Sequence, residues 1–234
     1  MNDKIGGFVL SVSEYREGDD LLKVLTKEYG ILSFVARGAR KAASRNRYLP
    51  MCLYEFLLDY KDGKTMYTIH SGKLIESFYE DRDLEKMSYL NIFLETAGKM
   101  GEWLSASHYD DLLFVFRHYS REDRYLLGCL YFAKLCQDFG ISPFVDGCAV
   151  CGKKQVVSLS NRQGGFLCLE HHGGEEILDV ITLKKFRLIN KASFEHFDLL
   201  KEYGYDRNDF RLLADFFFDN SSLHCRSYDF YMSL

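Results

Sequence analysis

The chain is predicted to be an α+β protein in which the strands come first and the helices after. Three observations predict this. Short β-branched and aromatic runs separated by glycine-bearing turns are confined to the first eighty residues. From Asp81 onward apolar residues recur at three- and four-residue intervals. Between two such helical stretches lies a glycine- and lysine-bearing loop with cysteines in pairs.

Residues 6–13 (GGFVLSVS) form the first expected strand, and the polar stretch Glu14 to Asp20 the first turn. Residues 21–26 and 31–36 follow, with a turn at Glu28-Tyr29-Gly30 between them. Residues 53–60 and 65–70 complete the set, and Asp62-Gly63 between them is a hairpin signal. Five short strands in about eighty residues predict a small closed barrel of the OB type. Helices are expected from Asp81 through Ala97, over 110–119, and over 122–139, the last ending at Gly140 ahead of Pro143. Two more are expected near 183–191 and 208–218, with Phe216 to Phe218 in the core. The domain reading is a barrel over 1–80, a helical domain in two parts over 81–145 and 175–234, and a metal module over 146–174.

Cys148-Ala-Val-Cys151 and Cys168-Leu-Glu-His171 stand sixteen residues apart. Three thiolates and an imidazole are a ligand set that a tetrahedral zinc ion prefers. His172 is the alternative fourth ligand, but the two-residue spacer favours His171. All four positions are filled by protein, so no place is left for a reacting water, and the ion is structural. Cys52, Cys129, Cys136 and Cys225 stand alone in apolar surroundings and read as small core residues. Unpaired cysteines at metal spacing fit a reducing compartment, hence the cytoplasm.

The 234 residues carry a net charge of −4, which argues against a nucleic-acid partner until it is divided. Residues 1–80 hold 12 Lys/Arg against 11 Asp/Glu, and the rest hold 18 against 23. Arg37, Arg40, Lys41, Arg45 and Arg47 form an acid-free run with only small residues between them. Forked arginine donors and a mobile lysine suit phosphate oxygens, and such contacts position a strand without reading its sequence. Five contacts to a single strand give a log–log salt slope of about −3.5. The other basic candidates are Lys153 and Lys154, beside the cysteine loop. No nucleotide-binding loop, nucleophile elbow, HExxH or paired-carboxylate motif occurs, and the HxE of zinc deaminases is missing, so no catalytic residue is assigned. No run of eighteen apolar residues occurs and Met1 to Ile5 is polar, so no membrane partner is expected.

Residues 15–41 (YREGDDLLKVLTKEYGILSFVARGARK) resemble the N-terminal signature of the RecO family of bacterial recombination mediators. Residues 139–152 (FGISPFVDGCAVCG) and 163–168 (QGGFLC) are similar to that family's Gly-x-x-Pro, Cys-x-x-Cys-Gly and Gly-Gly…Cys elements. The resemblance implies an N-terminal OB domain, a helical domain and a zinc module. It also implies binding of single- and double-stranded DNA, annealing of complementary strands, and partnership with RecR and the C-terminal tail of the single-stranded DNA-binding protein. In the family the fourth metal ligand is usually cysteine; histidine stands here. The expectation is a non-enzymatic DNA-repair protein. A zinc-stabilised scaffold that touches no DNA and a metal-dependent nucleic-acid enzyme are the rivals.

Overall fold

The computed structural model describes residues 3–41, 44, 47–61, 63–80, 82–104 and 106–234. Arg45, Asp62 and Asp81 therefore lie outside the described residues. Two compact units are present, residues 1–116 with 225–234 and residues 117–224.

The first unit is built on six strands: β1 (Asp3–Arg16), β2 (Asp19–Thr26), β3 (Gly30–Ala36), β4 (Cys52–Leu58), β5 (Met66–Thr68) and β6 (Ser71–Ser77). Their order is β5-β3-β2-β1-β4-β6, antiparallel except for β3 beside β5. This corrects the five-stranded closed barrel. The expected last strand is short, and a sixth follows it after Ile69 and His70. The two edge strands are thus nearly consecutive, and the ladder does not close by pairing one on the other. Instead the Ile69 N–H donates to the Val35 carbonyl and the His70 N–H to the Leu57 carbonyl. The hairpin expected at Asp62-Gly63 does not form either, because β5 pairs with β3 and β4 takes β6.

Residues Ser11–Arg16, expected in part as a turn, continue β1 against β2. Beyond Phe8 the β1–β4 ladder has ended, so this end of β1 is an edge, forming with β2 a ribbon that β3 flanks on its far side. Val12 packs against the core, while its neighbours Ser11, Ser13 and Glu14 are exposed and polar. Inside the sheet Val9, Val24, Phe34, Phe56 and Tyr67 form the buried core. Phe34 meets Phe56 edge-on at 5.0 Å.

Helix α1 (Leu84–Met100) starts at Asp83, whose carboxylate accepts from the Lys86 N–H at 3.0 Å. Helix α2 (Ala106–His118) brings Phe116 against Phe8 at 4.8 Å and Phe78 at 5.5 Å. The last helix of the chain, α7 (Arg226–Ser233), belongs to this unit and was not expected. Glu95 of α1 caps it, accepting from the N–H groups of Arg226 at 3.0 Å and Ser227 at 2.8 Å. Tyr89 then packs on Tyr231 at 5.2 Å.

The second unit contains α3 (Arg124–Asp138), strands β7 (Ser158–Ser160) and β8 (Gly165–Leu167), and helices α4 (Val180–Ile189), α5 (Phe197–Leu200) and α6 (Arg207–Ser221). Aromatic residues weld α3 to α6. Phe132 lies 5.9 Å from Phe210 and 5.4 Å from Phe217, and Phe216 and Phe217 are buried as expected. Phe186 of α4 bridges Phe166 of β8 and Phe216 of α6. Lys185 and Asp209 form an ion pair at 2.9 Å, with side chains 12% and 5% exposed. Among the described residues, no helix is long and apolar enough to cross a membrane.

Candidate metal centre and nucleic-acid interface

The cysteine loop folds from local backbone pairing. The Cys148 N–H donates to the Lys153 carbonyl and the Gly152 N–H to the Cys148 carbonyl, closing one knuckle. The His171 N–H donates to the Cys168 carbonyl and closes the other. β8 carries Cys168 alongside, held because the Phe144 backbone lies directly against Gly165. A Cβ at Gly165 would stand 2.4 Å from the Phe144 carbonyl oxygen, so only glycine fits. Cys148, Leu167 and Cys168 form a small buried cluster with Ala149 and Val156.

The result brings together all four expected ligands, Cys148, Cys151, Cys168 and His171, with donor atoms within 4.8 Å of one another. The Cys151 and Cys168 sulfurs are 3.8 Å apart, and His171 Nδ1 is 3.6 Å from the Cys148 sulfur and 3.4 Å from that of Cys168. A tetrahedron with zinc–sulfur bonds of about 2.3 Å and a zinc–nitrogen bond of about 2.0 Å has edges of about 3.8 and 3.5 Å. The donor set therefore fits such an ion. His172 takes another role, its Nδ1 accepting from the Gly174 N–H at 3.3 Å. Burial pushes the Cys148 thiol up, but the backbone N–H groups of Cys168, Cys151 and Val150 outweigh it and hold the thiol down at about 6. At Cys151 the pull of the Lys153 N–H is overcome by burial and by the neighbouring sulfurs, and the thiol is raised. Crowded sulfurs that resist sharing negative charge are what a bound cation relieves.

The basic loop leaves β3 at Ala36 and folds back on the β1–β2 turn. Gly38, at φ +64°, makes the bend, and its N–H donates to the Asp19 carboxylate at 2.8 Å. The Arg40 N–H donates to the Gly18 carbonyl and the Lys41 N–H to the Gly38 carbonyl. The five predicted cations divide in role. Arg37, Arg40, Lys41 and Arg47 are all exposed. Arg40 is held at the surface by two acids, pairing with Glu14 and with Asp20 at 2.8 Å, and these bonds raise its pKa. Arg47 donates to the loop's own carbonyls, Ala39 at 3.3 Å and Lys41 at 3.4 Å. Arg45 is the one outside the described residues.

The structure adds two cations that inspection along the chain passed over. A groove of about 270 Å³ is lined by Arg37, by Arg16 of the β1–β2 ribbon and by Lys64 before β5, with Tyr15, Met66 and Tyr67 between them. Arg16 lies 5.1 Å from the centre of the Tyr15 ring and Lys64 5.2 Å from that of Tyr67. The signal that could have found them is cross-strand position, since β5 lies beside β3, which ends one residue before Arg37. Near the cysteine loop the lysines are engaged. Lys153 pairs with Glu170, and Lys154 donates to the Asp146 carbonyl at 2.9 Å.

Comparison with known proteins bears on both regions. Residues 1–78 match the family model described as recombination protein O N terminal, and residues 81–215 match recombination protein O C terminal. The chain is 28% identical over 204 residues to the DNA repair protein RecO of Bacillus cytotoxicus, covering 85% of this chain and 82% of that protein. The RecO proteins of Bacillus mycoides and Bacillus cereus are similar to the same degree over the same shares. The chain belongs to the RecO family, whose proteins serve DNA repair and recombination.

Proposed function

We propose that the protein is a DNA-binding recombination mediator that anneals complementary strands through the cationic surface of its first unit. The observation that carries this reading is the groove between the β1–β2 ribbon and β5, where Arg16, Arg37 and Lys64 from three separate chain segments converge among aromatic rings. Lys41, exposed on the loop that follows Arg37, is a further candidate. Annealing asks for no reactive group. A cationic surface offsets repulsion between two phosphate chains, and base pairing supplies the driving force.

The sheet itself reads as an OB-type barrel whose final strand is split, its halves β5 and β6 taking opposite edges. The amides of Ile69 and His70 that reach Val35 and Leu57 support that reading. Grooves and loops of such barrels commonly hold single strands. Zinc is the ion proposed for Cys148, Cys151, Cys168 and His171, closing the loop as a structural centre. Partnership with RecR and with the C-terminal tail of the single-stranded DNA-binding protein rests on family membership. A DNA-free scaffold is the rival, favoured by the internal pairing of Arg40.

A salt titration of oligonucleotide binding decides between them. Arg16→Ala, Arg37→Ala and Lys64→Ala combined should weaken binding about equally across sequences and flatten the log–log slope by roughly 2, at about 0.7 per phosphate. A folded variant with unchanged affinity and slope would move the DNA surface elsewhere.

A further inference from the structure

Three tyrosines lie face to face at one end of the sheet. Tyr29, in the turn between β2 and β3, packs on Tyr60 with ring centres 4.3 Å apart and planes 31° apart. Tyr60 in turn stacks on Tyr67 at 5.5 Å and 18°. The row is anchored at its inner end. Tyr67 is buried, and its hydroxyl donates to the carbonyls of Lys61 and Lys64 at 2.6 and 2.5 Å. It is open at its outer end, where Tyr29 is 44% exposed. A tyrosine driven only by apolar burial would be expected to turn its ring inward, whereas this ring rests on its neighbour and keeps surface in water.

The row runs between two grooves that each carry basic side chains, with Asp19 in the first and Glu28 in the second. At its inner end Tyr67 and Lys64 line the 270 Å³ groove with Arg16 and Arg37. At its outer end Tyr29 lines a second groove of about 620 Å³ together with Lys23, Lys27 and Glu28. Lys27 is shared with Asp110 at 2.8 Å, and Lys23 donates to the Gly98 carbonyl. A path with cations at both ends and aromatic rings between them matches one class of polymer: a chain of phosphates carrying flat, unpaired rings.

We propose that Tyr29, backed by Tyr60 and Tyr67, is a base-stacking platform, so that the first unit prefers single-stranded DNA to duplex. This rests on the DNA-binding reading above and adds strand preference to it. Phosphate contacts are common to both forms of DNA, but only an unpaired base can leave its own stack to cover Tyr29. The site therefore tells the two apart through the ring, and the cations do not.

The test uses the full chain and three fluorescent ligands of equal length: a thymidine oligonucleotide, an abasic oligonucleotide and a duplex. Tyr29→Ala should weaken thymidine binding about tenfold and leave its salt slope unchanged. Affinity for the abasic strand and the duplex should stay within twofold, and Tyr29→Phe should retain thymidine affinity. Thymidine binding by Tyr29→Ala within twofold of the unaltered protein overturns the platform while the DNA-binding reading stands. Equal loss on all three ligands also overturns it, because lost phosphate contact or lost fold would then be the cause. If the unaltered protein binds none of the three, both readings fall.

Discussion

The two clusters of functional side chains, one in each unit, are built on opposite principles. In the cysteine loop four donors converge on one point, and every hydrogen bond nearby fixes that convergence. In the cationic region the charges share an open groove and do not meet at one point. Arg37, Arg16 and Lys64 line an open groove, while Arg40 and Arg47 have turned back to hold the loop. A converging set stabilises its own fold when the right ion is present. A set of exposed cations around an open groove contributes little to the fold. Perturbing the first should therefore be read in stability, and perturbing the second in affinity.

The largest effect should come from the metal. Chelation, or Cys148→Ser or Cys168→Ser, should remove about one bound zinc per chain and destabilise the second unit by about 4 kcal/mol or more. Elemental analysis and hydrogen exchange check this, with the loss of protection concentrated in residues 117–224. DNA affinity per folded molecule should hardly change. A metal-free protein with unaltered melting would end the contrast between the two regions.

Next comes the buried pair in the same unit. Burial lifts the Asp209 carboxyl above its usual range despite the lowering contribution of the Lys185 ammonium, so the pair is better at fixing α4 to α6 than at adding net stability. Lys185 also donates to the Gly204 carbonyl, and Asp209 accepts from the Asp206 N–H to complete the cap of α6. Asp209→Ala should cost about 3 kcal/mol, because it leaves a buried ammonium without its carboxylate. A denaturant melt within 1 kcal/mol of the parent would show that water reaches Lys185.

The corresponding tether in the first unit should be weaker and dependent on pH. Burial alone would raise Glu95, but its bonds to Lys99 and to the Ser227 and Arg226 amides bring it down to about 2. A carboxylate depressed in the folded state adds stability that is present above about pH 4.5 and is lost as pH falls toward 2. After solvent screening the contribution is about 1–2 kcal/mol. Acid melts of Glu95→Gln should therefore lose most of the parent's slope between pH 4.5 and 2. A parallel slope in parent and variant would place the acid sensitivity elsewhere.

These contrasts also explain what could be read from the sequence. The cluster of Cys148, Cys151, Cys168 and His171 was legible because its geometry is local, two knuckles each closed within a few residues. The first four strands were legible from their apolar pattern. β6 was not, since Leu74 and Ile75 are exposed and the strand shows no buried alternation. The partner change at Ile69 and His70 depends on two edges meeting, which no short window records. Helix α7 is short, and the carboxylate that caps it lies 131 residues earlier. Counting charges along the chain found the loop cations and missed Arg16 and Lys64, which join them only across strands. It also gave Arg40 a phosphate that Glu14 and Asp20 already replace.

That last point yields the smallest expected effect and the most informative one about the cationic region. Arg40 is exposed but tied to two carboxylates, so removing those charges should release it. Glu14→Gln with Asp20→Asn removes both acids from exposed or half-buried positions on the β1–β2 ribbon. The loop should keep its place, because the Arg40 and Lys41 amides still donate to Gly18 and Gly38 and the Gly38 amide still has Asp19. Binding of single-stranded DNA should then tighten a few-fold, and the log–log salt slope should steepen by about 0.7 as one more cation reaches phosphate. Adding Arg40→Ala to this double variant should return the slope to that of the parent. If the slope stays constant while affinity rises, the acids act only through their distant field and Arg40 remains a brace for the loop. If neither moves, the strand does not pass over this ribbon, and the path through Lys64 and Tyr29 must be entered from another side.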